Sequence, residues 1–334
     1  MPQHGKNVVL VLIFLYSQAL MSHKSHYLTL TELHARLPLF FRPWWLNMVS
    51  DNWDIAIAKS DKDLRGVFPY CMEKKLGIQI IRNPSLTPYL SPVILHNNEM
   101  VYSDDHSNHD ETLKELWAQL PKHGSLEIET TTGFNNKFFF KHRGYSIQEK
   151  LTYELSLKPE PEMLFKGFHN NHRKLIRLAQ DSHTIEEGLK HLDLFLSLHE
   201  KTYTRKGKKY HYDAAYLTGI ITTCIKENAG QLFIAKNENS EPTAFLFTVW
   251  DNKKMYLLLS AVNTETAHHG AGRLLIWHAI QLAKQKGLSV FDFEGSMDER
   301  VGNIYKRFGS ERKTYLYISK VDSWIWKIKK QLLG

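Results

Sequence analysis

Apolar and polar residues alternate in short segments that glycine and proline separate. In the first half of the chain, this alternation predicts strands over residues 53–60, 64–73 and 76–82, with helices over 39–50 and 108–120. The predicted inward face of the second helix carries Leu113, Leu116, Trp117 and Leu120. The pattern is typical of an antiparallel meander with a helix packed against it.

The second half of the chain mixes helical and strand periodicities. We predict helices over residues 162–180, 185–205 and 214–227, and strands over 231–236 and 243–250. A strand over 255–261, a glycine loop, a helix over 273–286, an acidic strand over 291–294 and a short helix carrying Tyr305 follow. The predicted apolar face of the helix over 273–286 consists of Leu274, Leu275, Ile276, Ala279, Leu282 and Ala283.

Two prolines, Pro159 and Pro161, interrupt both periodicities and predict a domain border. The chain has 334 residues, of which 43% are hydrophobic, and this size favours two domains. We therefore predict an N-terminal domain over 25–157, a C-terminal domain over 158–320 and an amphipathic C-terminal helix over 321–334.

Residues 1–24 are predicted to be an extension outside the fold, disordered or a misassigned start. The apolar run over 8–16 is shorter than the roughly 20 residues that span a bilayer. It has the length of a signal-peptide core, but no paired small residues suggest a cleavage site. A start at Met21 would leave a short predicted strand at residues 26–29, and we expect a cytoplasmic protein.

Three features near the end of the second half carry candidate chemistry. Asp292 and Glu294 lie two residues apart in a predicted strand, so they share a face, and one of them is a candidate acceptor for an amine proton. The alternative is an ion pair with Lys or Arg. Gly270 and Gly272 precede a helix whose N-terminal N–H groups suit an anion, although a tight turn also explains them.

Residues 255–318 resemble the core of the GNAT acyltransferase superfamily in their order of strand, loop, helix, acidic strand and tyrosine helix. The resemblance implies that Tyr305, within Tyr-x-x-x-Gly, protonates the leaving thiolate; the alternative is a ring that only packs beneath the loop. In the superfamily the loop binds the pyrophosphate of acyl-coenzyme A, and Ala267 stands where Gln or Arg is usual. The positions implied in donor binding are Ala261, Val262, His268, His269, Gly270, Ala271, Gly272 and Arg273.

A wider resemblance, over about residues 27–319, is to FemAB-like proteins, and it rests on residues 134–153 and the basic segment 163–177. It implies an α+β fold (α/β by some schemes) of two tandem GNAT-like domains, each a mixed, mainly antiparallel sheet flanked by helices. FemAB proteins take amino acids from aminoacyl-tRNA and add them to cell-wall precursors.

These resemblances predict an N-acyltransferase without a permanently bound cofactor. It would move an acyl group from acyl-CoA, or an aminoacyl group from aminoacyl-tRNA, to the amine of a small molecule or cell-wall precursor. One alternative is a FemAB-type peptidoglycan-precursor aminoacyltransferase. Another is a non-catalytic GNAT-fold scaffold or RNA-binding module.

The charge pattern adds an anionic partner to these expectations. With 43 Lys and Arg against 35 Asp and Glu, the net charge is +8, and basic residues concentrate at Arg173, Lys174 and Arg177 and again over 205–209. Donor phosphates, a tRNA or a peripheral membrane surface would be attracted, while a solvated loop is the plainer alternative. Two distant cysteines and histidines without ligand spacing give no reason to expect a metal. The oligomeric state has no signature in the sequence.

Overall fold

The computed structural model of the chain describes residues 22–60, 63–96, 99–100, 106–205, 207, 209–266, 270–295, 299–324 and 326. The apolar run over 8–16, His268, His269 and most of the predicted C-terminal helix lie outside these residues. Among the helices described, none combines the length and the apolar character that crossing a membrane requires.

Contacts divide the chain into two compact units. One unit contains the residues up to Gln148 and those from Leu316 onward, and the other comprises Glu149–Tyr315. The chain therefore enters the second unit before the proline pair at which the sequence pattern predicts a border. It also returns to the first unit near its end.

The first unit begins with the helices α1 (His23–Thr29), α2 (Thr31–Arg36) and α3 (Pro43–Val49), with a 3-10 turn at Leu39–Phe41. Its sheet has the strand order β5-β4-β2-β3-β6-β13, with β1 paired to β2, and of these pairs only β3 and β6 are parallel. The strands are β1 (Trp53–Ser60), β2 (Asp63–Lys75), β3 (Ile78–Arg82), β4 (Val93–His96), β5 (Glu99–Met100), β6 (Ser125–Glu129) and the end of β13 (Glu311–Val321). The helices α4 (His106–Ala118) and α5 (Lys137–Lys141) complete the unit.

The second unit has the strand order β7-β12-β11-β10-β9-β8, and only β11 and β12 are parallel in it. Its strands are β7 (Ser146–Ser156), which begins in the first unit, β8 (His183–Glu187), β9 (Gly230–Asn237), β10 (Pro242–Trp250), β11 (Lys254–Val262) and β12 (Val290–Asp292). Its helices are α6 (Pro161–Gly167), α7 (Asn170–Ser182), α8 (Leu192–Arg205), α9 (Ala214–Lys226), α10 (Ala271–Gln285) and α11 (Glu299–Lys306).

The core of the second unit lies between this sheet and α10. The helix buries Leu274, Leu275, Ala279, Ile280 and Ala283 against strand residues, in agreement with most of the apolar face predicted from the sequence. Full burial of each large aliphatic side chain contributes about 1.5–3 kcal/mol. These contacts fix α10, and with it the loop residue Gly270, relative to the strands.

Two predicted elements are wrong in type. Residues 26–29 belong to helix α1, because the Ser22 side chain accepts a hydrogen bond from the Ser25 N–H and caps the helix. Residues 183–187 form the edge strand β8 rather than the start of a helix, since they pair with β9 and end at Gly188 with φ 117°.

The predicted basic helix over 162–180 is interrupted. It divides into α6 and α7 because Phe168 and His169 are extended, and the His169 ring accepts a hydrogen bond from the Asn171 N–H as the cap of α7. The break lets α7 start in a new direction toward α10.

Candidate active site

A gap opens between the parallel strands β11 and β12 at their carboxyl ends. The two strands pair only through Lys254–Val290, Met255–Phe291 and Tyr256–Asp292, after which β12 ends and β11 continues to Val262. On its other side β11 stays paired to β10, with a register shift between Phe247 and Thr248. The main-chain groups of residues 257–262 on the β12 side are therefore outside that ladder. In sheets with parallel strands, ligands bind at such carboxyl ends.

Asp292 ends β12 and is fully buried. Its Oδ1 accepts hydrogen bonds from the Thr152 hydroxyl at 2.6 Å and from the Glu294 N–H at 2.9 Å. Burial raises the pKa of Asp292 to about 6, and the nearby Glu154 carboxylate acts in the same direction against the charge of Lys254. Asp292 thus lies beneath the gap rather than in it.

The sequence pattern predicts that Asp292 and Glu294 share a strand face, and this prediction is wrong. The strand ends at Asp292, and Glu294 has φ 59°, a left-handed conformation that is uncommon for residues other than glycine. The Glu294 side chain is half-buried, and its negative charge contributes to raising the pKa of both Tyr305 and Tyr212. Glu294 directly follows Phe293, whose ring centroid is 5.0 Å from that of Tyr305.

Tyr305 lies on α11 with its ring against aromatic neighbours. The ring centroid is 5.0 Å from that of Phe293 and 6.0 Å from that of Tyr153. Burial and then Glu294 raise the pKa of Tyr305, so that the phenol stays protonated at neutral pH. It is therefore a proton donor in its resting state.

A close approach of backbone to ring positions α11. A Cβ built on Gly302 would lie 2.3 Å from the Tyr153 hydroxyl oxygen, a separation that only glycine tolerates. The helix carrying Tyr305 therefore rests directly on Tyr153 of β7.

The two loop glycines have different surroundings. A Cβ on Gly270 would lie 2.2 Å from the Leu175 carbonyl oxygen, so glycine is required there by the packing of α7. Within the part of the chain that the structure describes, a Cβ on Gly272 would meet Val262 alone, at 3.7 Å. Ala271 is buried at the start of α10, and Ala261 is buried at the end of β11.

The start of α10 is electropositive. Gly270 is the N-cap and provides no side-chain hydrogen bond, so the first-turn N–H groups of this helix are not capped by it. Arg273 is half-buried beside them, and burial together with Arg307 lowers its pKa. The half-buried Arg273 guanidinium and the positive charge of the exposed Arg307 favour an anion at this position.

His172 on α7 was not predicted as a site residue from the sequence, yet it connects α7 to α11, the helix that carries Tyr305. It is fully buried, its Nε2 lies 3.2 Å from the Ile304 carbonyl oxygen, and its ring is 4.7 Å from that of Phe308. Burial and the charges of Arg273 and Arg307 lower the pKa of His172 to about 4. A neutral His172 therefore donates a hydrogen bond to the carbonyl oxygen of Ile304, the residue before Tyr305. No local sequence pattern predicts this contact.

Comparisons with known proteins agree with this geometry. Residues 166–307 match the family described as the acetyltransferase (GNAT) domain, and they contain Gly270, Glu294 and Tyr305. No curated protein sequence matches the chain significantly.

Solved structures with low sequence identity share the fold. FemX is 14% identical, with 89% of this chain and 96% of that chain covered and a TM-score of 0.69. L-PGS from Bacillus licheniformis is 11% identical, with coverages of 86% and 89% and a TM-score of 0.50. A tandem GNAT protein from the clavulanic acid biosynthesis pathway is 8% identical, with coverages of 83% and 86% and a TM-score of 0.50.

The predicted fold class is confirmed: the chain is α+β, and it shares its fold with FemX and with a tandem GNAT protein. The residues that match the GNAT acetyltransferase domain lie within the second unit, and this match supports an N-acyltransferase. The assignment of individual site residues stays a prediction.

Proposed function

We propose that the chain transfers an acyl group from acyl-coenzyme A to an amine in the gap between β11 and β12. The observation that carries the proposal is the geometry after β12, where Glu294 turns out of the strand at φ 59° and its neighbour Phe293 has its ring centroid 5.0 Å from that of Tyr305. A carboxylate and a protonated phenol at one gap are a base and an acid, as acyl transfer to nitrogen requires.

The reaction follows from these two groups. Glu294 accepts one proton from the ammonium form of the acceptor, the neutral nitrogen attacks the acyl carbonyl carbon and the carbon–nitrogen bond forms. The carbon–sulfur bond then breaks, Tyr305 gives its proton to the departing thiolate, and the Tyr305 phenolate takes the second proton that the nitrogen loses as the amide forms. Asp292 holds Glu294 through the main-chain hydrogen bond rather than accepting the substrate proton, because Asp292 is fully buried.

Donor phosphates are proposed to lie at the start of α10. The first turn of α10, whose N-cap is a glycine without a side chain, and Arg273 supply N–H groups and positive charge there, and among the described residues Val262 is the neighbour that a Cβ on Gly272 would meet, at 3.7 Å. Ala261, Val262, Ala271 and Gly272 would then line the donor, and His268 and His269 stay predictions outside the described residues.

An aminoacyl-tRNA donor is the second candidate, since its ester and phosphates demand the same chemistry. The FemAB-like fold and the exposed Arg205 and Lys209 favour it. With that donor a carbon–oxygen bond breaks instead, and the acceptor would be the amine of a cell-wall precursor. The exposed Trp324 supports a peripheral membrane contact in this case, as such precursors are found at membranes.

Donor binding and turnover test the proposal. Purified protein is titrated with acetyl-CoA, with free CoA and with a mixture of aminoacyl-tRNAs, and each bound donor is then incubated with a panel of primary amines. Gly272→Trp should fill the space beside Val262 and weaken donor binding at least tenfold, whereas Gly272→Ala should leave it within twofold.

Acetyl-CoA and aminoacyl-tRNA as donors, with free CoA as the ligand that lacks an acyl group, separate the two candidates. Saturable acetyl-CoA binding with acyl-amine product supports the first candidate, and binding of aminoacyl-tRNA alone supports the second. Absence of product with every donor, or donor binding that Gly272→Trp leaves intact, would overturn the proposed site.

A further inference from the structure

Three tyrosines and a histidine form a cluster at the end of α8 and in the segment after it. The rings of Tyr203, Tyr210 and Tyr212 contact one another pairwise, with centroid distances of 5.4, 5.6 and 5.9 Å and interplanar angles of 70–83°. His199 contacts all three, at 5.2, 5.6 and 5.9 Å. We call these four residues the tyrosine cluster.

The tyrosine cluster is anchored to the sheet beside the gap. His199 is buried, and its Nδ1 lies 3.1 Å from the Tyr210 hydroxyl. One turn earlier on α8, Phe195 stacks on Phe245 at 5.5 Å, and Phe245 pairs with Ala261 in the carboxyl half of β11. The start of α8 therefore packs at the carboxyl half of β11, the strand that borders the gap.

The tyrosine rings are only half-buried, so part of each remains accessible to a ligand. After burial, the charges that raise the pKa of these phenols include the Glu200 carboxylate at Tyr210 and the Glu294 carboxylate at Tyr212. Neutral aromatic rings beside carboxylates attract cations, both through the ring quadrupole and through the full negative charge. A core cluster of the ordinary kind would be fully buried and would not adjoin a catalytic carboxylate.

We propose that Tyr203, Tyr210 and Tyr212, together with Glu294, bind the acceptor as a primary ammonium ion. The inference rests on the proposed function, in which Glu294 takes the amine proton, and it adds the surface that receives the amine before that step. Amines are protonated in water at neutral pH, so an acyltransferase must bind the ammonium form and then remove one proton beside the donor. The Glu294 charge acts on the Tyr212 phenol and on the Tyr305 phenol, so an ammonium group held by the tyrosine cluster would meet its base beside the leaving-group acid.

Binding of n-butylammonium, followed by saturation-transfer NMR at constant ionic strength, tests the proposal without any donor or turnover. The uncharged comparison ligand is 1-pentanol. We expect Tyr212→Leu and Tyr203→Leu each to weaken n-butylammonium binding about fivefold, since a cation–π contact contributes about 1 kcal/mol. Tyr212→Phe, which keeps the ring, should bind within twofold of the parent.

Tyr317 provides the matched control, because it is a half-buried tyrosine whose hydroxyl donates to a glutamate, Glu127, at 3.1 Å in the other unit. Tyr317→Leu should leave n-butylammonium binding unchanged. If the leucine variants unfold, Glu294→Gln tests the same site. This variant should weaken the binding of n-butylammonium at least fivefold without changing the binding of 1-pentanol.

The outcomes are distinct from those for the proposed function. Equal binding of n-butylammonium and 1-pentanol, or n-butylammonium affinity that neither Tyr212→Leu nor Glu294→Gln changes, would overturn the ammonium site while acyl transfer could still be measured. The ammonium site is supported if n-butylammonium affinity falls in Tyr212→Leu, Tyr203→Leu and Glu294→Gln and is retained in Tyr212→Phe and Tyr317→Leu.

Discussion

The main-chain N–H of Glu294 donates to the buried carboxylate of Asp292 at 2.9 Å, across the point where β12 ends. The same Oδ1 accepts from Thr152 on β7, so one buried oxygen links two strands to the residue that turns out of the sheet. The bond holds Glu294 at φ 59°, a conformation that costs about 1 kcal/mol or more for a residue with a side chain. Asp292 is thus a positioning residue for Glu294.

Asp292 should make stability depend on pH. Its pKa is raised from 3.8 to about 6, so the folded state favours the neutral acid. The contribution of Asp292 to the free energy of unfolding is fully present below about pH 4. It is lost as pH rises through about 6, and the loss is on the order of 2–3 kcal/mol. Urea denaturation of the parent and of Asp292→Asn from pH 4 to pH 8 measures it as a difference between the two.

The asparagine variant is the natural control because its side-chain oxygen still accepts from Thr152 and Glu294. Asp292→Ala removes that acceptor and should lower the free energy of unfolding by about 1–3 kcal/mol at every pH. A parent-minus-Asn difference that stays constant across the range would contradict the raised pKa.

Gly302→Ala should displace α11. The added methyl group would lie 2.3 Å from the Tyr153 hydroxyl oxygen, and relief requires the helix or the ring to move. We expect a loss of about 1–3 kcal/mol in the free energy of unfolding and a fall in kcat, since Tyr305 is on the same helix. Thermal and urea denaturation, with initial rates, measure both effects.

Gly219 in α9 is the matched helical glycine, with nothing within 4 Å of a built Cβ. Gly219→Ala should stabilise the protein by up to about 1 kcal/mol, because alanine favours helix over glycine. Equal effects of the two substitutions would argue against a clash at Tyr153.

The two loop glycines should separate packing from ligand binding. Gly270→Ala places a methyl group 2.2 Å from the Leu175 carbonyl oxygen, and we expect it to lower the free energy of unfolding by about 1–3 kcal/mol. Gly272→Ala, whose methyl group meets Val262 at an ordinary 3.7 Å, should change stability by less than about 0.5 kcal/mol. If Gly270→Ala folds as stably as the parent, α7 does not require glycine there.

Tyr305→Phe should lower kcat about 100-fold while the free energy of unfolding stays nearly constant. The ring contacts with Phe293 and Tyr153 survive the substitution, and only the proton donor is lost. Because burial and Glu294 raise the pKa of Tyr305 above its ordinary 10.0, the parent should show no loss of rate from this phenol up to about pH 10. A pH–rate profile checks this, with Tyr317→Phe as the control; unchanged kcat in Tyr305→Phe would leave the ring with a packing role alone.

The sequence by itself determined the order of elements that places a glycine loop, a helix and an acidic strand side by side. Short apolar runs bounded by turn residues predicted β9, β10 and β11, which are buried on both faces, and a period of 3.6 predicted α10 with its one buried face. That order carries the resemblance that predicts the fold, and the fold is confirmed.

Only the tertiary structure decided which residues meet. Thr152 and Asp292 are 140 positions apart, and His172 and Ile304 are 132 apart, so no periodic pattern relates them. The turn at Glu294 likewise depends on a hydrogen bond to a buried carboxylate rather than on local propensity, and the predicted shared face of Asp292 and Glu294 fails for that reason. Tyr203, Tyr210 and Tyr212 flank a basic run in the sequence, but the contacts among their rings depend on how the segment after α8 folds back onto the helix. The local sequence determines which face of a helix or strand is buried, whereas strand pairing and helix packing determine which residues distant in sequence come into contact.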